Sequence, residues 1–583
     1  MKKTIYTLLG LLLAAGLTSC QDWFIEKPEV TGMDQDEVFS TAKNAEGAIA
    51  EAYATILSSG LPVLVWNNSP IMPYETTEAI MGGEDLCRLT WGYMDKQVVA
   101  GMLANNENNG AGYTDDYFPN NYAYIRKAWL VYENIDKVAD MSDRDKAIVK
   151  AEMQVLVAFR YVEMLKRYGG VPLVESTLTT VDVRPRSTVQ QTLDFIVGLC
   201  DAAAATLEGV RWPADWLGRV NKGVALAVKA EALMYAARPL FNADAPYMQM
   251  ADPANNEMIW LGGYDAKRWE TARLANQEVI DWGKANGFEL IDTGDPIKDY
   301  GTAVGTPSNR EVLLAYKQQR EADDNGIYKN YTFMPTHTGH DLGQYRGTGY
   351  GQLCQYRKAD GTDQTWAGVD DWRPAGEYRD KAEELEPRAQ ASLYFYGVNP
   401  KNNTGNSRWD LYQNWQDGCA KNIKFWYEAG SREWFEFPIY RMAEFYLNIA
   451  EAYNEEGNPT MALRYLNDIR RRGGIPDETQ TDRVGLRRSI HREWAVEFYV
   501  ENQWYPHARH WKQGASMVGG AKYKFEFSQA AGVSWNPRKP EEFANYTRKP
   551  SYVPEYTWHE RMSLSPFTLS EVNKGYLVQN PGY

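Results

Sequence analysis

Phe437-Pro438-Ile439-Tyr440-Arg441-Met442-Ala443-Glu444-Phe445-Tyr446-Leu447-Asn448-Ile449-Ala450-Glu451-Ala452-Tyr453-Asn454 is the stretch from which the fold can be read. Ile439, Met442, Ala443, Tyr446, Ile449, Ala450 and Tyr453 recur at i, i+3, i+4 and i+7. Arg441, Glu444, Asn448, Glu451 and Glu455 fall on the opposite side, so the spacing predicts one amphipathic helix. Gly457 can take the left-handed conformation that ends a helix, and Asn458-Pro459 restarts the chain with a capping side chain followed by proline at the first helical position. A second helix then turns Ala462, Leu463, Leu466 and Ile469 inward. Arg470, Arg471 and Arg472 sit in its last turn, where positive charge favours the negative end of the helix dipole, before Gly473-Gly474. So short a turn between two helices predicts a helical hairpin. Beyond it, Asp482 can cap a third helix that buries Leu486, Ile490, Trp494 and Phe498 and carries Glu493, Glu497 and Glu501 one turn apart.

Outward from this hairpin, helical spacing recurs over residues 42–58, 121–140, 144–168, 187–207, 221–238 and 266–284. Small residues such as Ala225, Ala227, Ala230 and Ala232 permit close helix contact, which predicts pairing. Glu311 to Tyr316 reads as a short buried strand, after which regular spacing gives way to loops. No Pro/Ser-rich linker, charge block or low-complexity tract divides residues 40 to 560, so one insert-rich domain is expected.

Two of these stretches carry a family resemblance. The run 437–454 is followed by Ala462-Leu463-x-Tyr465-Leu466-Asn467-x-Ile469-Arg470-x-Arg472-Gly473-Gly474 and then by Arg492-Glu493 with Glu497 and Glu501. Together they resemble the C-terminal signature of the SusD/RagB family. Tyr161-x-x-x-Leu165-x-Arg167-Tyr168-Gly169-Gly170-Val171-Pro172-Leu173 resembles the helix exit in that family's N-terminal half. The likeness departs between Gln503 and His510, where the family usually shows glycine, arginine and aspartate and this chain has Asn502, Trp504 and His507.

The resemblance implies a mostly α, SusD-like fold. Four tetratricopeptide-like helical pairs would form a curved brace, with a large loop-rich region and a few short strands. It also implies an outer-membrane lipoprotein that binds oligosaccharides and caps a SusC-like, TonB-dependent barrel transporter; RagB-like members serve peptides instead. On that frame residues 1–19 are a signal peptide and 20–583 a single domain. The domain comprises a helical scaffold over 40–290 with an inserted loop at 60–120, a loop-rich aromatic region over 311–436, a second scaffold over 437–511 and an irregular segment over 512–583.

The N-terminus points to the same compartment from its own residues. Lys2-Lys3, an apolar run from Ile5 to Leu17 and Leu17-Thr18-Ser19-Cys20 make a positive n-region, a short h-region and a lipobox-like cleavage site. The run is shorter than the roughly 17–25 residues a transmembrane helix needs. It reads as an export signal that leaves Cys20 to be acylated, and two or more acyl chains on one residue make a stable membrane anchor. A formal net charge of −15 with no basic stripe excludes nucleic acid as a partner. Cys87, Cys200, Cys354 and Cys419 are too few and scattered for a disulfide scaffold, and whether they pair stays open.

Two regions hold the candidate binding chemistry. Between Trp66 and Phe118, Trp66, Tyr74, Asp85, Arg88 and Trp91 lie among amides and glycines. Between Tyr328 and Trp434, Tyr350, Trp366 and Trp372 lie among Gly, Asn, Asp and Arg. The C–H face of a pyranose stacks on an aromatic ring while planar carboxylate, amide and guanidinium groups bridge its hydroxyls. These eight residues are therefore the expected glycan site.

Metal and catalytic readings are weaker. His337/His340 and His507/His510 lack the H-E-x-x-H carboxylate spacing of a zinc peptidase and read as surface or capping residues. Glu493, Glu497 and Glu501, flanked by Arg487, Arg488 and Arg492, read as structural ion pairs. No G-x-S-x-G elbow, P-loop or dinucleotide fingerprint occurs, so no cofactor and no catalysis are expected. Glycan capture leads, peptide capture by the same architecture follows, and a lipid-anchored hydrolase, to which Asp370-Asp371 would contribute, is third.

Overall fold

The helical windows become helices whose ends are set by local capping. In a computed structural model, the structure describes residues 34–58, 86–87, 118–178, 183–213, 216–319, 347–395, 398, 418–422, 424–425, 434–501, 503–532 and 542–583. The signal sequence and Cys20, and with them Trp66, Tyr74, Asp85, Arg88, Trp91, His337 and His340, lie outside the described residues.

The N-terminal scaffold comprises α1 (Ala42–Ser58), α2 (Phe118–Asn134), α3 (Asp143–Tyr168), α4 (Val189–Thr206), α5 (Lys222–Ala237) and α6 (Lys267–Asn286). Ser142 caps α3 by accepting from the Asp145 N–H, and Gly169, at φ 78°, ends it. Thr188 and Gln191 form a capping box on α4. The alanines of α5 are buried on all sides, which lets α4 and α6 close on it from either flank. α2 stops earlier than the 121–140 window, because a 3-10 turn at Ile135–Lys137 takes over.

A short helix α7 (Pro296–Gly305) leads to β2 (Val312–Gln319), which pairs antiparallel with β7 (Trp434–Arg441). This two-stranded neck closes the region between them. Inside it lie α8 (Ala375–Glu383) and α9 (Pro387–Ser392). It also supplies β3 (Gly347–Thr348), β6 (Ala420–Asn422) and β5 (Leu393–Tyr394), which β1 (Leu86–Cys87) from the N-terminal half joins in one small sheet, and β4 (Arg373–Pro374) of another.

β7 runs straight into the C-terminal scaffold: α10 (Met442–Glu455), α11 (Pro459–Arg472), α12 (Arg483–Glu497) and α13 (Trp504–His510). Gly457 is left-handed at φ 80°, Asn458 accepts from the Met461 N–H with Pro459 next, and Asp482 caps α12, as the residues predict. Each scaffold helix packs on its predecessor from α1 through α6; α10 then packs on α6, and α11 and α12 pack on α10. The result is a mostly helical molecule with a few short strands. One continuous core runs from Ile49 through Leu156 and Leu226 to Leu466 and Leu564.

Four expectations are corrected. The polar side of α10 is not at the surface: Arg441, Glu444, Asn448 and Glu451 are all buried. That side meets α5 and α6, where Arg238 pairs with Glu451 at 3.0 Å and the Asn448 amide donates to Asn276 at 2.9 Å. Glu493, Glu497 and Glu501 do form ion pairs, but with arginines from other elements. Glu497 meets Arg441 at 2.6 Å, Arg388 at 3.0 Å and Arg472, while Glu501 meets Arg441 at 2.8 Å and Lys424 at 2.6 Å. Arg487 instead pairs with Glu455 at 2.5 Å and Arg492 with Asp363 at 2.6 Å. His507 and His510 are deep in the core; His507 lies edge-on to Trp494, and His510 packs against Tyr235 and Phe241. The segment after 512, expected to be irregular, contains β8 (Gly520–Gln529) and β9 (Phe543–Tyr556), an antiparallel pair that β4 joins in the order β4-β9-β8.

Candidate functional site

The β4-β9-β8 sheet assembles the sequence-predicted aromatics that lie within the described residues. Strand alternation puts Tyr523, Phe525 and Phe527 of β8 on one face, and register brings Pro550, Arg548 and Tyr546 of β9 opposite them. Tyr378 of α8 packs edge-on against Phe525, Phe527 and, tilted, Tyr546, and its hydroxyl donates to the Cys419 carbonyl at 2.7 Å. A second apolar core forms here, beneath the loops rather than among the scaffold helices.

Trp366 is part of that core. It is 9% exposed and packs against Tyr378 and Phe525 at ring separations of 5.8 and 5.6 Å. Tyr350 sits half-buried at its rim, edge-on to Phe525 and Tyr523. The Arg548 guanidinium packs against both the Tyr350 and the Tyr523 ring, 4.6 and 5.1 Å from their centres, two cation–π contacts that link them. Partial burial pushes the Tyr350 phenol up to about 12, with Cys354 adding to the rise, so its hydroxyl stays a neutral donor and acceptor.

Trp372 has the opposite fate. It stands outside the aromatic core on the turn leading into edge strand β4 and is 43% exposed. The turn is pinned from both sides. The Asp370 N–H donates to the Arg548 carbonyl at 3.2 Å, the Arg548 N–H to the Gly368 carbonyl at 3.2 Å, and Asp370, at φ 59°, is tied to Lys549. Asp371 and Arg373 flank the indole in sequence and are exposed, with Arg373 3.1 Å from Glu377. The arrangement offers an accessible indole beside carboxylate acceptors and cationic donors on a turn fixed by backbone hydrogen bonds. It suits an uncharged, hydroxyl-rich ligand with an apolar face.

Of the predicted residues, the structure therefore joins Tyr350 and Trp366 in one cluster and leaves Trp372 on the surface beside it. Sequence reasoning missed Tyr523 and Arg548, although Tyr523-x-Phe525-x-Phe527 already alternates with the period of a strand. It also missed Trp216, Tyr53 and Tyr316, which line an open cleft of about 400 Å³ between α1, the 216–219 turn and β2. Among the described residues no cluster of His, Cys, Asp or Glu could hold a metal ion.

A helical scaffold closed by a two-stranded neck and bearing an aromatic-rich set of small sheets defines a binding protein of the SusD-like fold. Residues 310–583 match the family model described as the SusD family, and residues 90–231 match a model described as starch-binding associating with outer membrane. The chain belongs to the SusD/RagB family. A search of curated protein sequences finds no match. Among solved structures, the chain is similar to a SusD-like protein from Bacteroides fragilis at 22% identity and a TM-score of 0.69, over 94% of this chain and 98% of that one. A SusD-like carbohydrate binding protein from the same species is 18% identical with a TM-score of 0.64, over 93% of this chain and 99% of that one. Surface glycan-binding protein A from Bacteroides uniformis is 17% identical with a TM-score of 0.58, over 93% of this chain and 99% of that one. At these identities the likeness establishes the fold.

Proposed function

We propose that this chain is a lipid-anchored outer-membrane protein, exposed at the cell surface, that binds an oligosaccharide or polysaccharide and delivers it to a SusC-like TonB-dependent transporter. The observation that carries the glycan reading is Trp372. A large indole held open to solvent on a pinned turn, with Asp370, Asp371 and Arg373 beside it, is matched to a sugar ring and its hydroxyls. The descriptions of the matched family models and the names of two structural neighbours support the same ligand class. Trp66, Tyr74, Asp85, Arg88 and Trp91 remain proposed partners in the same task, with Tyr350 as a hydroxyl contact and Trp366 as the buried support beneath it.

The role is binding rather than catalysis. The helical carboxylates that could have served as an acid/base pair, Glu493 and Glu497, are buried and engaged by Arg388, Arg441, Arg470 and Arg472. Replacing Trp372 by alanine should weaken binding to the cognate glycan about thirtyfold, the equivalent of about 2 kcal/mol for losing a stacking hot spot. Calorimetry against a glycan panel, with the sugars recovered and sized afterwards, checks both affinity and integrity. Unchanged affinity with an intact fold removes Trp372 from the site. Binding of a peptide mixture in place of every glycan moves the chain to the RagB-like, peptide-capturing role.

A further inference from the structure

The cleft between α1, the 216–219 turn and β2 is far from the sheet in sequence and has a built aromatic wall. Trp216 and Trp212 are parallel within 18°, their ring centres 6.3 Å apart, and the Arg219 guanidinium lies 4.3 and 4.2 Å from those centres. Arg219 is itself held by Glu152 of α3, which is fully buried: Nε donates to Oε1 at 2.7 Å and Nη2 to Oε2. Tyr53 of α1 completes the fastening, donating its hydroxyl to Glu152 at 2.5 Å and accepting the Val220 N–H at 2.9 Å. A half-exposed indole on a surface turn is thereby locked to a buried carboxylate through a guanidinium and a phenol. Such locking removes the rotamer entropy that a ligand would otherwise have to quench.

The opposite wall is shaped to keep the cleft open. Gly218 adopts φ 95°, a conformation that strains any residue with a side chain, and a Cβ there would come within 2.3 Å of the Lys317 Cε that crosses the turn. Lys317 then reaches Glu436 at 2.8 Å, and its neighbour Tyr316 turns its ring to the cleft. The floor is aliphatic, from Ile49, Ala54 and Leu57 of α1, and Glu46 at the mouth is an exposed carboxylate. At about 400 Å³ the space lies within the roughly 300–1,000 Å³ of small-molecule sites.

We propose that this cleft is a second carbohydrate subsite, taking the apolar face of a neutral sugar ring on Trp216 and Tyr316 and its hydroxyls on Glu46 and Lys317. The proposal rests on the glycan reading above. Arg219 is paired with Glu152 and Lys317 with Glu436, so with Glu46 added the cleft offers no net positive charge to an anionic ligand, and a purely apolar occupant would leave the acceptor and donor at the mouth unused.

Two variants of the full chain test it by calorimetry with hexasaccharides of α-1,4-glucan, β-1,4-glucan, xylan and mannan, beside a mixture of random hexapeptides. Trp216→Ala removes the platform. Ala54→Phe adds a ring into the cleft from an exposed position on α1 and leaves the core untouched. Each variant should weaken the sugar that binds the wild type by tenfold or more, the double variant should be no worse than the poorer single, and circular dichroism should match the wild type. If the wild type binds a sugar and Ala54→Phe leaves its Kd within twofold, the cleft is not a subsite although the glycan reading stands. If the wild type binds no sugar, the glycan reading falls and this proposal with it. If Ala54→Phe abolishes hexapeptide binding instead, the cleft takes peptide side chains and the sugar assignment is overturned.

Discussion

Glu497 shows how one residue organises this interior. Burial alone would raise its pKa, but Arg472, Arg441 and Arg388 around it hold the carboxyl well below the usual carboxylate range, so it stays charged. A buried ion pair is weak evidence for stability in itself, yet removing one partner strands the other, which is why such a knot ties its elements into one register. The histidines work in the opposite sense. Burial, with Arg238 adding to it, pulls His491 down to about 3 and holds His507 and His510 well below their ordinary value, so all three are neutral in the folded protein. In the unfolded chain they titrate near pH 6.5. A base with a depressed folded pKa contributes stability that is complete above the unfolded pKa and is lost as pH falls toward the folded one. As pH falls from 6.5 to 5, His491 should therefore cost about 2 kcal/mol of stability and His507 and His510 act in the same direction, while the carboxyls of Glu444, Glu152 and Glu386, whose pKa burial raises, act in the opposite one. Urea midpoints measured across that window check this, and His491→Gln should make the pH slope shallower.

At the scale of elements, the α10–α11 hairpin is where local rules and tertiary packing agree. Gly457, Asn458 and Pro459 do what their positions predict, because capping depends on residues within one turn. Leu466 on α11 is fully buried in the main core, so Leu466→Ala should destabilise the protein by about 2–5 kcal/mol, readable as a lower denaturation midpoint. An unchanged midpoint would contradict the hairpin's packing. α12 and α13 mark the place where this chain leaves the family's usual pattern. α12 ends at Glu497, Val500 turns the chain at φ 53°, a conformation β-branched residues rarely adopt, and α13 begins at Trp504. That turn carries His507 and His510 into the core beside Tyr235 and Trp494.

At the scale of the whole molecule, Arg186 ties the C-terminal segment to the exit of α3. It is fully buried without a carboxylate, donating to the carbonyls of Gly170, Tyr168 and Val578 and to the Asn580 side chain, with Phe567 under its guanidinium. The C-terminal tail is thus part of the N-terminal scaffold, and the molecule is not divisible at its neck. Among the described residues no helix is long and apolar enough to cross a membrane. In the proposed role the anchor is the acylated Cys20. Cys20→Ser should leave the fold intact and release the protein into the soluble fraction of cells lacking the transporter partner. Retention of the variant in the membrane fraction would refute the anchor.

The sequence by itself determined the scaffold: helical periods, caps, the hairpin and the family signature are carried by residues within a few positions of one another. Only the tertiary structure decided what the polar side of α10 faces, because Arg441, Glu444 and Glu451 find their surroundings in residues such as Arg238, Glu501 and Lys166, distant along the chain. It alone separated Trp366 from Trp372. The two lie six positions apart among similar neighbours, yet one fills a core completed by Phe525 and Tyr378 and the other stands on an exposed turn. The cleft at Trp216 was equally illegible, since its walls come from α1, one turn and β2. Period and capping are local properties of a chain, whereas burial and the pairing of charge depend on which distant elements come to lie against a residue.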